Sequence, residues 1–319
     1  MQNPGRDHLN VTSFRRLLLV SGAMMVLSVQ SALAQEKFNS PEDAADKLVA
    51  AVRAGDEKNI LKILGSGGKD ILSSGDKVAD ANTKALFLTG YDLRHQVVKK
   101  DENTAELVVG QQDWPMPIPI VKKDNAWSFD TAAGRREILY RRIGRDELRA
   151  IQASLAYVDA QNDYIDMNPE SSDPPVYARK IISTEGKKDG LYWPAAANEK
   201  QSPLGAAFAL ATATGYRLTG EQTPFHGYYY KILTAQGPKA PGGAVNYIVN
   251  DKMIGGFALV AYPASYGNSG VMTFVVNNDG IVYQKDLGEK TGSIASDMTT
   301  FNPDQTWKKV ADSDLAVLH

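Results

Sequence analysis

His226 stands at the head of an aromatic stretch, with Phe225, Tyr228, Tyr229 and Tyr230 beside it. An imidazole so placed is a candidate general base, because its two protonation states interchange near neutral pH. Spacing assigns it no nucleophile or acid, and a lone histidine is more often a hydrogen-bonded structural group. Tyr192-Trp193-Pro194 follows Gly190 in a loop and offers flat aromatic surface. Such rings can stack on a sugar or an apolar partner; the competing role is to cap a sheet. Tyr228 joins Tyr192 and Trp193 as a candidate binding residue.

Other chemical signals are weaker. Gly65-Ser66-Gly67-Gly68-Lys69 hints at a phosphate loop, but Asp70 stands where Ser or Thr is needed and no strand precedes it, so a helix-ending loop is expected. Gly267-Asn268-Ser269-Gly270 is not a nucleophile elbow, since Val271 occupies the last glycine position. Asn277-Asn278-Asp279-Gly280 offers oxygen atoms to Ca²⁺ but lacks the downstream Glu of an EF-hand loop, so a hairpin turn is favoured. Arg135, Arg136, Arg141, Arg142, Arg145 and Arg149 form a basic run, interleaved with Glu137, Asp146 and Glu147. That mixture reads as a solvated, salt-bridged helix face rather than a polyanion site. There is no cysteine, and beyond residue 34 the histidines are His95, His226 and His319. Thiol chemistry, disulfides and His-rich metal sites are thereby excluded. No metal and no cofactor is expected.

These residues need elements to hold them. Ser40-Pro41-Glu42-Asp43 predicts a helix start, with Ser as N-cap and Pro at the first position. Gly55-Asp56 stops that helix and opens a second carrying Ile60, Leu61, Ile63 and Leu64. A third is expected from about Lys77 to Leu88. Strands are predicted over Asp92 to Lys99 and Thr104 to Val109, with a last short one at Ala126-Trp127-Ser128-Phe129. Pro115, Pro117 and Pro119 make the intervening segment an edge or crossover. Gly134 to about Asp166 is the strongest helical region, with a break expected near Gly144. The loop from Asn168-Pro169 to Pro174-Pro175 marks a boundary. Beyond it, a short helix is expected over Tyr177 to Ser183 and an Ala-rich one from Ser202 to about Thr214. Three strands follow, over 227–233, 256–262 and 271–276, with Ile281-Val282-Tyr283 as a return strand after the Asn277–Gly280 turn. Successive strands on short loops give an antiparallel meander.

Composition and address complete the reading. The chain has 319 residues, 43% hydrophobic and 23% charged, as in ordinary globular proteins. Arg15 and Arg16 precede an apolar run from Leu17 to Leu27, and Ala32-Leu33-Ala34 supplies a small-residue site before Gln35. This pattern describes a secretory signal peptide, residues 1–34, cleaved between Ala34 and Gln35. The run is too short and too interrupted for a transmembrane helix. Removing Arg6, Arg15, Arg16 and Asp7 leaves 32 basic and 36 acidic residues, a net charge of −4. No nucleic-acid or anionic-membrane partner is expected from that balance.

Several strings carry a resemblance. They include Gly110-Gln111-Gln112-Asp113-Trp114-Pro115-Met116-Pro117-Ile118-Pro119, Arg141-Arg142-Ile143-Gly144-Arg145-Asp146, Asp189-Gly190-Leu191-Tyr192-Trp193-Pro194 and Phe225-His226-Gly227-Tyr228. Met253-Ile254-Gly255-Gly256-Phe257 through Ala264 completes them. The chain resembles the exported bacterial family called domain of unknown function 2950, a likeness that implies no activity. Its C-terminal half is also similar to the globular head of type IV pilin-like proteins, which implies a helix packed on an antiparallel meander.

The sequence therefore predicts an α+β protein: N-terminal helices with a small antiparallel sheet, a long central helical region and a C-terminal antiparallel meander. Its expected divisions are 1–34 as signal, 36–134 as an N-terminal subdomain and 135–314 as the long helix with a pilin-head-like subdomain. The expected function is a periplasmic or secreted accessory protein that binds an envelope protein or polysaccharide. An envelope hydrolase built on His226 and a pilus-associated component are the alternatives, and a binding role is preferred over an enzymatic one.

Overall fold

The computed structural model describes residues 35–196, 198–217 and 223–311. The expected signal segment with its cleavage residue Ala34, and His319, lie outside these residues.

Local capping explains the first elements. Helix α1 (Pro41–Ala54) is capped by Ser40, whose hydroxyl accepts from the Asp43 N–H at 3.0 Å, and Gly55 closes it in the left-handed region at φ 64°. Helix α2 (Glu57–Leu64) is capped by Asp56. A single 3₁₀ turn follows at 66–68, so the glycine-rich string ends a helix. After the short α3 (Lys69–Leu72) comes α4 (Lys77–Leu93), which Asp76 caps. It runs five residues past the expected end, and the following strand starts correspondingly late.

The N-terminal sheet holds β1 (His95–Lys99), β2 (Thr104–Val109), β3 (Trp114–Pro115), β4 (Ile120–Lys123) and β5 (Ala126–Phe129). Its order is β1-β2-β4-β5, with β3 hanging on β2. Alternation along β2 buries Ala105 and Leu107, which pack with Leu48 of α1, Ile60 and Ile63 of α2, Trp127 and Phe129.

Helix α5 (Thr131–Met167) is one continuous helix of 37 residues. The expected break at Gly144 is absent. A glycine there costs about 1 kcal/mol of helix propensity, and side chains on both sides hold the helix in place. Arg142 donates to the carbonyls of Asp70 (2.8 Å) and Ile71 (2.6 Å) and to Asn268 (2.6 Å). Glu147 accepts from the N–H groups of Val271 and Met272, both at 2.9 Å. Toward the start of the helix, Gly134 lies against Ile118, leaving no room for a Cβ.

The helix expected at Tyr177–Ser183 does not form. Its backbone donors are taken elsewhere: Tyr177 N–H by Met253, Ala178 N–H by the Gln161 side chain and Ser183 N–H by Tyr192. A single bridge, Ile182 to Tyr192, orders this stretch. Helix α6 (Gly205–Ala213) then leads to β6 (Tyr228–Leu233) and β7 (Ala235–Gln236). Short strands β8 (Val245–Asn246), β9 (Ile248–Val249) and β10 (Lys252–Met253) follow, then β11 (Ala258–Pro263), β12 (Met272–Asn277) and β13 (Tyr283–Asp286). Helix α7 (Thr291–Ser296), β14 (Thr300–Phe301) and β15 (Lys308–Lys309) complete the described elements.

The predicted meander is present. The C-terminal sheet has the order β15-β13-β12-β11-β6, antiparallel throughout. Val260 of β11 faces Val275 on one side and Lys231 on the other. Ala258 to Ala261 are all buried, so both faces of β11 are covered. The fold is α+β. Its buried apolar residues gather in two clusters, one within residues 38–129 and one within 150–310. Among the described residues, no helix is long and apolar enough to cross a membrane.

Candidate functional site

His226 and Gly227 are the two central residues of a tight turn. Phe225 and Tyr228 exchange backbone hydrogen bonds across it at 2.8 and 3.2 Å. Both central residues have positive φ, 52° and 79°, the requirement of a type I′ turn. Glycine accepts that conformation freely, and histidine is among the residue types found there more often than most.

Asp76, the N-cap of α4, fastens this turn. One carboxylate oxygen accepts from the N–H groups of Val78 and Ala79, both at 3.0 Å. The other accepts from the Gly227 N–H at 2.9 Å and the Tyr216 hydroxyl at 2.8 Å. Asp76 and Tyr216 are both buried. One capping side chain thus joins three segments far apart in sequence.

The His226 ring lies 4.1 Å from Phe225, centroid to centroid, and edge-on to Tyr216. Its Nδ1 is 3.3 Å from the Arg149 guanidinium. Arginine only donates, so Nδ1 accepts and the proton of the neutral ring is assigned to Nε2. Burial, reinforced by Arg149, pushes this imidazole down to about 4. A base that weak is poorly matched to proton abstraction at neutral pH. The Tyr216 hydroxyl beside it spends its proton on Asp76. The arrangement orders a turn, and the described hydrogen bonds of the His226 side chain include no serine or threonine hydroxyl.

Asp146 approaches the same turn from α5. One of its oxygens accepts from Arg145 Nε at 3.0 Å, and the other is buried with no hydrogen-bond partner among the described residues. The Gly227 Cα lies so close that a Cβ would sit 2.9 Å from this second oxygen. Burial raises the carboxyl from its ordinary value of 3.8 to about 6, against the pull of Arg145, Arg149 and Arg142. The folded state therefore holds this proton more tightly than the unfolded chain. The group's contribution to stability is full below about 3.8 and is lost as pH rises through about 6. Asp146→Asn, which has no charge to bury, should gain stability relative to the natural protein across that window. Thermal melts at acidic pH and at pH 8 check this, and a difference that stays constant with pH would contradict it. His226 titrates in both proteins and cancels from the comparison.

The basic run is in part the solvated face expected of it, with Arg135, Arg136, Arg141 and Arg145 exposed. Arg141 does pair with Glu137 at 2.7 Å, one turn away on the surface. Arg142, Asp146 and Glu147 instead turn inward as described above.

Beside the His226 turn lies a cavity of about 460 Å³, within the usual range for small-molecule sites. Ala153, Ala156 and Tyr157 of α5 form one wall. Leu204, Ala207 and Phe208, in and before α6, form the second. Ile181 to Thr184 form a third, and Thr223, Phe225, Tyr230 and Leu259 complete the lining. Alanine on two facing helices leaves the space open. Most of the lining is aliphatic or aromatic, and two of its polar side chains are partnered: Lys180 Nζ by Thr184 and Asp189, and Tyr157 by Ala258 and Gln161. The lining is therefore suited to an apolar group.

The predicted binding residues take supporting places. Trp193 is only 4% exposed and packs edge-on against Tyr164. Its ring belongs to the core, which is the capping role weighed against surface binding. Tyr228 is fully buried and donates to the Met272 carbonyl at 2.9 Å. Tyr192 is half-buried and stacks on Phe208 at 3.9 Å, so it braces a cavity wall from behind. Asp76, Tyr216, Asp146 and Arg149 were not singled out as a cluster by the sequence. Only the capping pattern at Asp76 was legible locally. Among the described residues no three metal-ligating side chains cluster, and the Asn277–Gly280 segment is a hairpin turn closed by the Gly280 N–H on the Asn277 carbonyl at 2.9 Å.

A family model described as protein of unknown function (DUF2950) matches residues 35–310, and the chain belongs to that family. No curated protein and no solved structure matches it.

Proposed function

We propose that this member of the DUF2950 family is an exported, periplasmic or secreted protein that binds an apolar component of the cell envelope. The observation that carries the reading is the cavity between α5, α6 and the 181–184 segment, whose lining is largely apolar and whose Lys180 and Tyr157 polar atoms are already partnered. The leader-like residues 1–34 support the address. A hydrolase centred on His226 is less well supported, since that imidazole is a weak base and accepts from Arg149.

The exported protein, with Gln35 as its first residue, should bind the neutral fluorophore N-phenylnaphthylamine with a saturable rise in emission. Ala207→Trp places an indole at the mouth of the cavity. It should weaken that binding by about tenfold or more, equivalent to roughly 1.4 kcal/mol, while leaving the melting midpoint in place. Saturable binding that Ala207→Trp leaves untouched would move the site elsewhere. Absence of saturable binding would overturn the reading.

A further inference from the structure

The cavity has a charged neighbour behind Phe225. Arg149 lies one helical turn before Ala153 on the same stripe of α5, so the two side chains face the same way. Its guanidinium meets His226, whose ring packs on Phe225, a lining residue. Arg149 is half-buried, and no carboxylate lies within ion-pair distance of it among the described residues. The adjacent arginines differ: Arg145 pairs with Asp146, and Arg142 is consumed by two backbone carbonyls and Asn268. Lys180, the cationic residue in the lining, is neutralised by Asp189 at 2.9 Å. Arg149 carries five N–H donors, of which one is directed at His226. A neutral His226 does not compete with it for an anion.

An apolar chamber with a half-buried guanidinium behind its Phe225 wall, held in no ion pair among the described residues, matches one ligand chemistry. We propose that the cavity takes a single-chain amphiphile with an anionic head: the chain lies between α5 and α6, and Arg149 holds the head. This rests on the binding role proposed above and adds the class of ligand. A guanidinium pairs with a carboxylate through two parallel N–H···O bonds, so the head is fixed in direction as well as held.

Dodecanoate and dodecanol share a chain and differ in the head. Their affinities for the exported protein can be compared at pH 8, below micelle formation, by displacement of N-phenylnaphthylamine. Dodecanoate should bind about tenfold or more tightly than dodecanol, the advantage expected of a charge-assisted contact. Arg149→Gln should bring the two affinities together while dodecanol binding stays as it was, which also shows that the variant is folded. Equal affinities in the natural protein, with both ligands bound, would overturn the head-group assignment and leave the apolar site standing. A preference for dodecanoate that survives Arg149→Gln would likewise overturn it. Failure of either ligand to displace the probe would remove both this inference and the reading on which it rests.

Discussion

Asp76→Ala should destabilise the protein by roughly 2.5–8 kcal/mol, a large part of the margin typical of a folded chain. The carboxylate accepts four hydrogen bonds, two from the first turn of α4 and two from the Tyr216 hydroxyl and the Gly227 N–H. Loss of an N-cap alone costs roughly 0.5–2 kcal/mol. The other two donors are buried, and each left unpaired costs about 1–3 kcal/mol more. Asp76→Asn keeps one acceptor oxygen for the cap but turns an NH₂ group toward Tyr216 and Gly227, so it should fall between the two. Urea denaturation of the three proteins checks the order. A loss below about 1 kcal/mol for the alanine variant would mean that water reaches both donors. The effect should also spread. Asp76 ties α4 to the turn before β6, so its removal should loosen the His226 turn and, through Phe225, the cavity wall.

Phe257→Ala should cost about 3–5 kcal/mol. The ring is fully buried immediately before β11. It meets Tyr157 of α5 edge-on at 5.6 Å and Tyr177 at 4.9 Å. Both neighbours are held from outside: Tyr157 by the Ala258 carbonyl, and the Tyr177 backbone by Met253. The Tyr157 ring cannot close the space without breaking its bond to Ala258, so much of the cavity remains. Phe257→Leu retains most of the volume and should cost much less. The melting midpoint and the urea slope decide the matter. An unchanged midpoint for Phe257→Ala would mean that the core repacks around the gap, contrary to the anchored geometry of its neighbours.

The sequence by itself determined the parts of this protein that depend on a few consecutive residues. Ser40-Pro41 and Asp56 start helices because a short side-chain oxygen satisfies free N–H groups of the first turn. Alternation in Thr104–Val109 makes a half-buried strand because successive side chains point to opposite faces. Continuous apolar residues in 257–262 make an inner strand covered on both sides. Asn277-Asn278-Asp279-Gly280 turns a hairpin because those residues tolerate the backbone it needs. These local rules suffice for the class of fold and for the order of the meander. Tertiary structure decided the rest. Tyr177–Ser183 is not helical because Met253, Gln161 and Tyr192 claim its backbone groups, and those partners lie 9 to 76 residues away. Gly144 does not break α5 because Arg142 and Glu147 tie the helix to loops at 70–71 and 268–272. Trp193 is a core residue and Arg149 a cavity neighbour for the same reason: helix periodicity and loop composition say which faces exist, not what will cover them. The link from Asp76 to Tyr216 and Gly227 spans 140 and 151 residues. No spacing rule connects such positions, because the hydrogen bonds that join them exist only once both cores have formed.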